Sequence, residues 1–282
     1  MDELTRRAAL AVGASAAIAA LSACAAPVAV GETATPTGPA PEPTMPDAPA
    51  PIAVEAEPPT AAPPQGAPSI ARVPAPRGTI DRLPGDGSLL SWTVDDGTNA
   101  EVIAAYAAFA AATGIRLTMF VTGTYFAWDE NVATLAPLIA SGQVQLANHT
   151  WSHPDLTTLD DAGVASELQR THDFIDDAFG VDARPFFRPP FGFHDARVDA
   201  IAADLGYTVP TLWYGSLSDS AEIPAQTIVD LGRQWFLPQH IVIGHLNWMP
   251  VTTVFDELRA IILERGLMTV TLNDVFSSDF HP

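Results

Sequence analysis

Four short segments carry residue types that can do chemistry together: the carboxylates Asp95 and Asp96, the imidazoles His149 and His153, the guanidinium of Arg188, and the imidazole of His245. In Ser91-Trp92-Thr93-Val94-Asp95-Asp96-Gly97-Thr98 an apolar run meets two adjacent carboxylates and a glycine. Neighbouring residues on a strand face opposite ways, so both carboxylates reach one site only where the strand breaks. There one carboxylate can hold a cation while the other takes up a proton. The alternative is a solvated Asp-Asp-Gly turn. His149-Thr150-Trp151-Ser152-His153 sets two imidazoles four residues apart. On a helical turn that spacing puts both rings on one face, within reach of one ion. With Asp96 as a third ligand, the set leaves positions open for water and substrate, as a catalytic zinc site requires.

The elements that must position these groups read as an alternation of strand and helix. Apolar strands are predicted at 89–94, 116–121, 144–147, 185–188, 208–213, 241–243 and 268–272, and helices at 100–112, 132–141, 160–179, 196–205, 226–236 and 254–265. Such alternation implies an α/β fold with a parallel sheet. Seven strands over some two hundred residues suggest a closed or nearly closed (β/α) barrel, with a doubly wound open sheet as the alternative. Asp95 and Asp96 follow the first strand, His149 the third and His245 the sixth, while Arg188 ends the fourth. In a parallel barrel those ends share one rim, where active sites sit.

Composition narrows the partners. The 282-residue chain carries a net charge of -20, which repels phosphate backbones and argues against nucleic-acid binding. One cysteine allows no intramolecular disulfide and no cysteine-based zinc site. Hydrophobic residues make up 48% of the chain, enough for a sizeable core. Arg6-Arg7 before an uncharged Ala-rich run resembles an export signal of the twin-arginine kind. The run ends at Leu21-Ser22-Ala23-Cys24, a lipobox-like sequence that makes Cys24 the expected lipidated first residue of the mature protein. The alternatives are a plain signal peptide or an uncleaved anchor. Residues 1–24 are thus read as the signal. Residues 25–76, rich in Ala and Pro, are read as a disordered tether, and residues 77–282 as the catalytic domain. The expected location is extracytoplasmic, at the membrane only through the lipid, and the expected state is a monomer.

Thr93-Val94-Asp95-Asp96-Gly97, His149-Thr150-Trp151-Ser152-His153 and Arg188-Pro189-Pro190-Phe191-Gly192 occur in that order. Together they resemble the polysaccharide deacetylases with a NodB homology domain, carbohydrate esterase family four, over about residues 78–272. The resemblance implies a distorted seven-stranded barrel and metal-dependent removal of acetyl groups from sugars of a polysaccharide. Asp96, His149 and His153 match the metal ligands, and Asp95 the general base. His245 matches the general acid and Arg188 the arginine that orients the base. The Phe191 backbone N–H would help hold the oxyanion, and Pro190, Gly192 and Trp213 are taken as contacts to substrate. The ligand set suits zinc; cobalt, nickel and manganese fit it too.

Three positions depart from the family pattern. Phe191 stands where tyrosine is common, and Leu246 where aspartate often follows the acid histidine. Ser216-Leu217-Ser218-Asp219-Ser220 replaces a frequent Asp-x-x-Asp-Trp run, with Asp219 left to keep part of its orienting role. Tyr125, Trp128, Trp151 and Trp248 are read as packing rather than sugar platforms. His172 is read as solvated and His194 as a surface residue, while His240 and His281 show no partner pattern. The expected substrate is peptidoglycan or another envelope glycan. The alternatives are an O-acetyl esterase on the same scaffold and a catalytically degenerate carbohydrate-binding protein.

Overall fold

The computed structural model describes residues 68–279. The export signal, Cys24, most of the tether and His281 lie outside the described residues.

The chemistry hangs on a curled parallel sheet. Its strands are β1 (Leu89–Asp96), β2 (Leu117–Val121), β3 (Val144–Asn148), β4 (Phe186–Phe187), β5 (Val209–Pro210), β6 (Gly215–Ser216), β7 (His240–His245) and β8 (Met268–Thr269). The hydrogen-bonded order is β5-β4-β3-β2-β1-β7-β6, with β8 pairing the start of β1. These seven consecutive strands form a half-barrel of the expected type, in which no pairing of β5 with β6 closes the ring among the described residues. Val73–Pro74 pairs in parallel with Phe276–Ser277, so strand pairing begins upstream of residue 77.

Strand alternation divides the core in two. Leu90, Trp92 and Val94 join the larger apolar cluster, with Val102, Tyr106 and Phe255 from the helix layer. The opposite face carries Ser91, Thr93 and Asp95, and Phe120, Ala147, Phe186 and Ile241 make a second cluster within the curl. The helices form as their patterning predicts, at Ala100–Thr113, Val132–Ala140, Asp161–Phe179, Ala196–Asp204, Ala225–Trp235 and Phe255–Glu264. The first starts at Asn99, whose side chain accepts from the Glu101 and Val102 amides, and ends at Gly114 with φ 76.

Three strands differ most from expectation: the one expected at 268–272 holds only Met268–Thr269, lies off the seven-strand path and gives way to a helix at Leu272. β1 does not stop at Val94, because pairing with β2 runs on to Asp96 against Val121. The strand expected at 208–213 holds only Val209–Pro210; the chain then turns, and Gly215–Ser216 pairs with β7 instead. Pro210 supplies no amide to extend a ladder. The register of β1 with β7 puts Asp95 directly beside His245.

Candidate active site

Asp96 ends β1 in the left-handed region, with φ 75, and Gly97 follows at φ 95. The left-handed residue breaks the strand's alternation at Asp96 itself, so both neighbouring carboxylates line one cavity. The turn is fastened from below. The indole Nε1 of Trp128 donates to the Asp96 carbonyl at 2.9 Å, and the Thr122 amide donates to it at 3.2 Å. A Cβ at Gly97 would stand 2.4 Å from the Trp128 ring, so this approach demands glycine.

The two histidines arrive differently from the helical spacing expected. His149 leaves β3 directly, and the loop to His153 is not helical: Thr150 and His153 both have positive φ, 69 and 59. Asn148 Oδ1 accepts from the Thr150 amide at 2.9 Å, and Thr150 Oγ1 from the His153 amide at 3.2 Å. Glu167, on the following helix, accepts from the Ser152 amide and hydroxyl at 2.7 and 2.8 Å. The loop nonetheless brings the rings together in an edge-on contact at 4.9 Å. His149 Nδ1 lies 2.7 Å from the Arg188 carbonyl, which can only accept, so Nδ1 carries the proton and Nε2 is left as a ligand.

Asp96 Oδ1 is buried without a hydrogen-bond partner and stands 3.4 Å from Nε2 of each histidine. The three candidate ligand atoms lie within 4.8 Å of one another. Ligands about 2.0–2.1 Å from a tetrahedral ion stand roughly 3.4 Å apart, so the residues fit a small divalent cation. Burial raises the Asp96 carboxyl, but the neighbouring imidazoles, His149 first and then His245 and His153, hold it well below the usual carboxylate range. Burial and the neighbouring His149 lower the His153 pKa, which favours the neutral ring that ligation needs.

Arg188 is fully buried and aims Asp95. Its Nη1 donates to Asp95 Oδ1 at 2.5 Å and to Thr93 Oγ1 at 2.9 Å, and its Nε donates to the Thr211 carbonyl at 2.9 Å. The guanidinium lies over the Phe120 ring at 4.1 Å. Asp219, left in the sequence to orient Arg188 or His245, contacts His245. Its Oδ1 is 3.0 Å from His245 Nδ1, and its Oδ2 accepts from the His245 amide at 3.2 Å. Burial works to lower the His245 pKa, but the hydrogen bond and charge of Asp219, with Asp95 and Asp96, outweigh it and raise the pKa above the ordinary imidazole value.

The cavity has a volume of about 370 Å³ and brings Asp95, Asp96, His149, His153 and His245 together with Phe191 and Trp213. Phe191 is 58% exposed and holds φ 60, and its ring edges against His153. Its amide is among the first of a short 3₁₀ turn (Pro190–Gly192), where an N–H has no partner within the turn. Pro190 is buried; Pro189 lines the cavity, and Gly192 packs against the Trp213 ring. Trp151 packs against Gly123 and Arg170, whereas Trp248 is exposed and donates to the Ser220 carbonyl at 3.1 Å. His172, expected to be solvated, pairs with the Tyr207 hydroxyl at 3.0 Å, because Tyr207 is buried and its hydroxyl needs a partner. His194 is half-buried against Asp199, and His240 is held by the Trp235 carbonyl and the Tyr214 ring. Sequence reading missed Thr93, Asn148, Glu167 and Asn247, polar residues whose partners are fixed only by folding.

Residues 83–210 match the family described as polysaccharide deacetylase. Chitin deacetylase 1 of Cryptococcus neoformans var. grubii is 39% identical over 126 residues, 45% of this chain and 25% of that protein. The chain spans about a quarter of the length of the fungal chitin deacetylases it first matches. Two solved structures share the fold. A peptidoglycan N-acetylglucosamine deacetylase superposes with a TM-score of 0.65 at 18% identity, covering 73% of this chain and 95% of that one. A family 4 carbohydrate esterase pseudoenzyme from Bacillus anthracis superposes with a TM-score of 0.64 at 19% identity, covering 72% of this chain and 70% of that one. Residues 83–210 are thus similar to the polysaccharide deacetylase family, and the half-barrel is the fold of the two solved structures.

Proposed function

We propose that this protein is a metal-dependent hydrolase that removes acetyl groups from N-acetylated sugars of a polysaccharide, peptidoglycan or another envelope glycan. The observation that carries the reading is the convergence in one cavity of a candidate ligand set, an arginine-held carboxylate and a carboxylate-held imidazole. One fold relative is described as a pseudoenzyme, so the scaffold alone does not decide activity; the side chains do.

Asp96, His149 and His153 would hold the cation. A divalent ion there supplies Lewis acidity, easing deprotonation of water and polarising the acetyl carbonyl. Asp95 Oδ1 is committed to Arg188, so Oδ2 is the oxygen that takes the proton as water adds to the carbonyl carbon. The Phe191 amide would donate to the oxygen that gains charge. With Nδ1–H bound to Asp219, His245 presents Nε2–H to the cavity and gives that proton to the amine as the C–N bond breaks, releasing acetate. The export signal and the lipidated Cys24 would confine the enzyme to glycan near its own membrane.

The test is acetate release by the zinc-loaded protein from peptidoglycan and from N-acetylglucosamine oligomers, with Asp95→Asn as control. Release that disappears with chelator, and falls about 10²–10⁴-fold in the control, supports the reading. Stoichiometric zinc binding with no release from these substrates or from acetylated xylan would leave a glycan-binding protein instead.

A further inference from the structure

We propose that Asn247 is a positioning residue for the cation site: its carboxamide fixes the Asp96 carboxylate so that one oxygen, Oδ1, is left to bind the metal. The inference rests on reading Asp96, His149 and His153 as ligands. It follows from an account of every acceptor on Asp96. The main-chain carbonyl is taken by Trp128 Nε1 and the Thr122 amide. Oδ2 accepts from Asn247 Nδ2 at 2.7 Å. Oδ1 has no donor and lies 3.4 Å from both imidazole Nε2 atoms. A carboxylate so arranged presents one oxygen to an ion and cannot swing the other in without losing a charge-assisted hydrogen bond.

The orientation of the amide is itself determined. Asn247 Oδ1 accepts from the Thr98 hydroxyl at 2.9 Å and the Thr98 amide at 3.3 Å. A flipped amide would set its NH₂ against the Thr98 N–H and its carbonyl against the Asp96 carboxylate, donor facing donor and acceptor facing acceptor. The backbone leading into Asn247 is anchored at Leu246, whose amide donates to the Asp95 carbonyl at 2.9 Å and whose carbonyl accepts from the Asn99 amide at 3.3 Å. Asn247 lies two residues beyond His245, so the end of β7 carries the proposed acid and the loop that follows it orients a proposed metal ligand. Partners that orient a ligating group typically change metal affinity by about 10–100-fold when removed.

The test measures zinc affinity of the full chain by competition with a chromophoric chelator, for the wild type and for Asn247→Leu, Asn247→Ala and Thr98→Val. Melting temperatures of the metal-free proteins confirm which variants are folded, and the visible spectrum of each cobalt-loaded protein reports the ligand field. Both Asn247 variants are expected to bind zinc about 10–100-fold more weakly, with an altered cobalt spectrum. Thr98→Val, which keeps the donor to Asp96 but frees the far side of the amide, is expected to lose less. If folded Asn247 variants match the wild type in affinity and spectrum, the inference is wrong and the metal reading stands. If the wild type binds neither zinc nor cobalt, the metal reading fails and the inference with it.

Discussion

Asp219 is the residue on which the proposed chemistry turns, because the run around it departs from the family pattern. Ser216-Leu217-Ser218 offers no carboxylate, yet Asp219 holds both Nδ1 and the main-chain amide of His245. The raised pKa of His245 means that its imidazolium persists to higher pH than a free imidazole would. Protonation of an amine leaving group needs that imidazolium, so kcat/KM on N-acetyl substrates should fall as pH rises through the raised value. Asp219→Asn removes the bond and the charge that stabilise the protonated form. The basic limb of the pH profile should then move to lower pH, and kcat should drop about 10²–10⁴-fold. A basic limb that stays in place would show that His245 is not the titrating acid. The principal side chains of this site were legible because each follows or ends an apolar strand. Thr93, Glu167 and Asn247 were not, since a threonine, a helix glutamate and a loop asparagine carry no local mark of what they will touch.

At the level of elements, the site depends on where regular structure gives way. The four-residue spacing of the histidines suggested one face of a helix, but the segment is a loop with two left-handed residues, held by Asn148, Thr150 and Glu167. The two rings do come together, but not by helical geometry, since two imidazoles four apart also converge across a tight loop. The β1 turn is equally specific. Gly97→Ala places a Cβ against Trp128 at 2.4 Å on a backbone of φ 95. The backbone strain should cost about 1–3 kcal/mol, and the overpacking about 1–3 kcal/mol more. Denaturant unfolding would measure the sum, and zinc affinity should fall as Asp96 is displaced. Full stability with wild-type zinc binding would mean that Trp128 moves freely and the turn is not the fixed support described above.

Across the molecule, a cation at this site would tie the β1 turn to the loop after β3, with one ligand from the first and two from the second. An ion bound by the native state and not by the unfolded chain stabilises the fold by about 2.7 kcal/mol at a hundredfold excess over its Kd. For a domain of this size each kcal/mol raises Tm by about 2–4 °C, so zinc should raise it by roughly 5–10 °C. A chelator should reverse the shift, and Asp96→Asn should largely abolish it in differential scanning calorimetry. An equal shift in that variant would place the ion elsewhere. The net charge of -20 favours cation capture and disfavours polyanions.

The sequence by itself determined most of the order of elements, a net charge that disfavours polyanions and the identity of the principal side chains that meet in the cavity. Hydrophobic periodicity and charge are local properties, and a parallel strand delivers whatever follows it to a common rim. Tertiary structure alone decided that the sheet curls into a half-barrel, that β1 and β7 pair in the register that sets Asp95 beside His245, and that Asp219 and Asn247 hydrogen-bond to an imidazole and a carboxylate. Those contacts join residues 26 and 151 positions apart. No local pattern encodes such pairs, because the packing of the whole sheet brings their partners into reach.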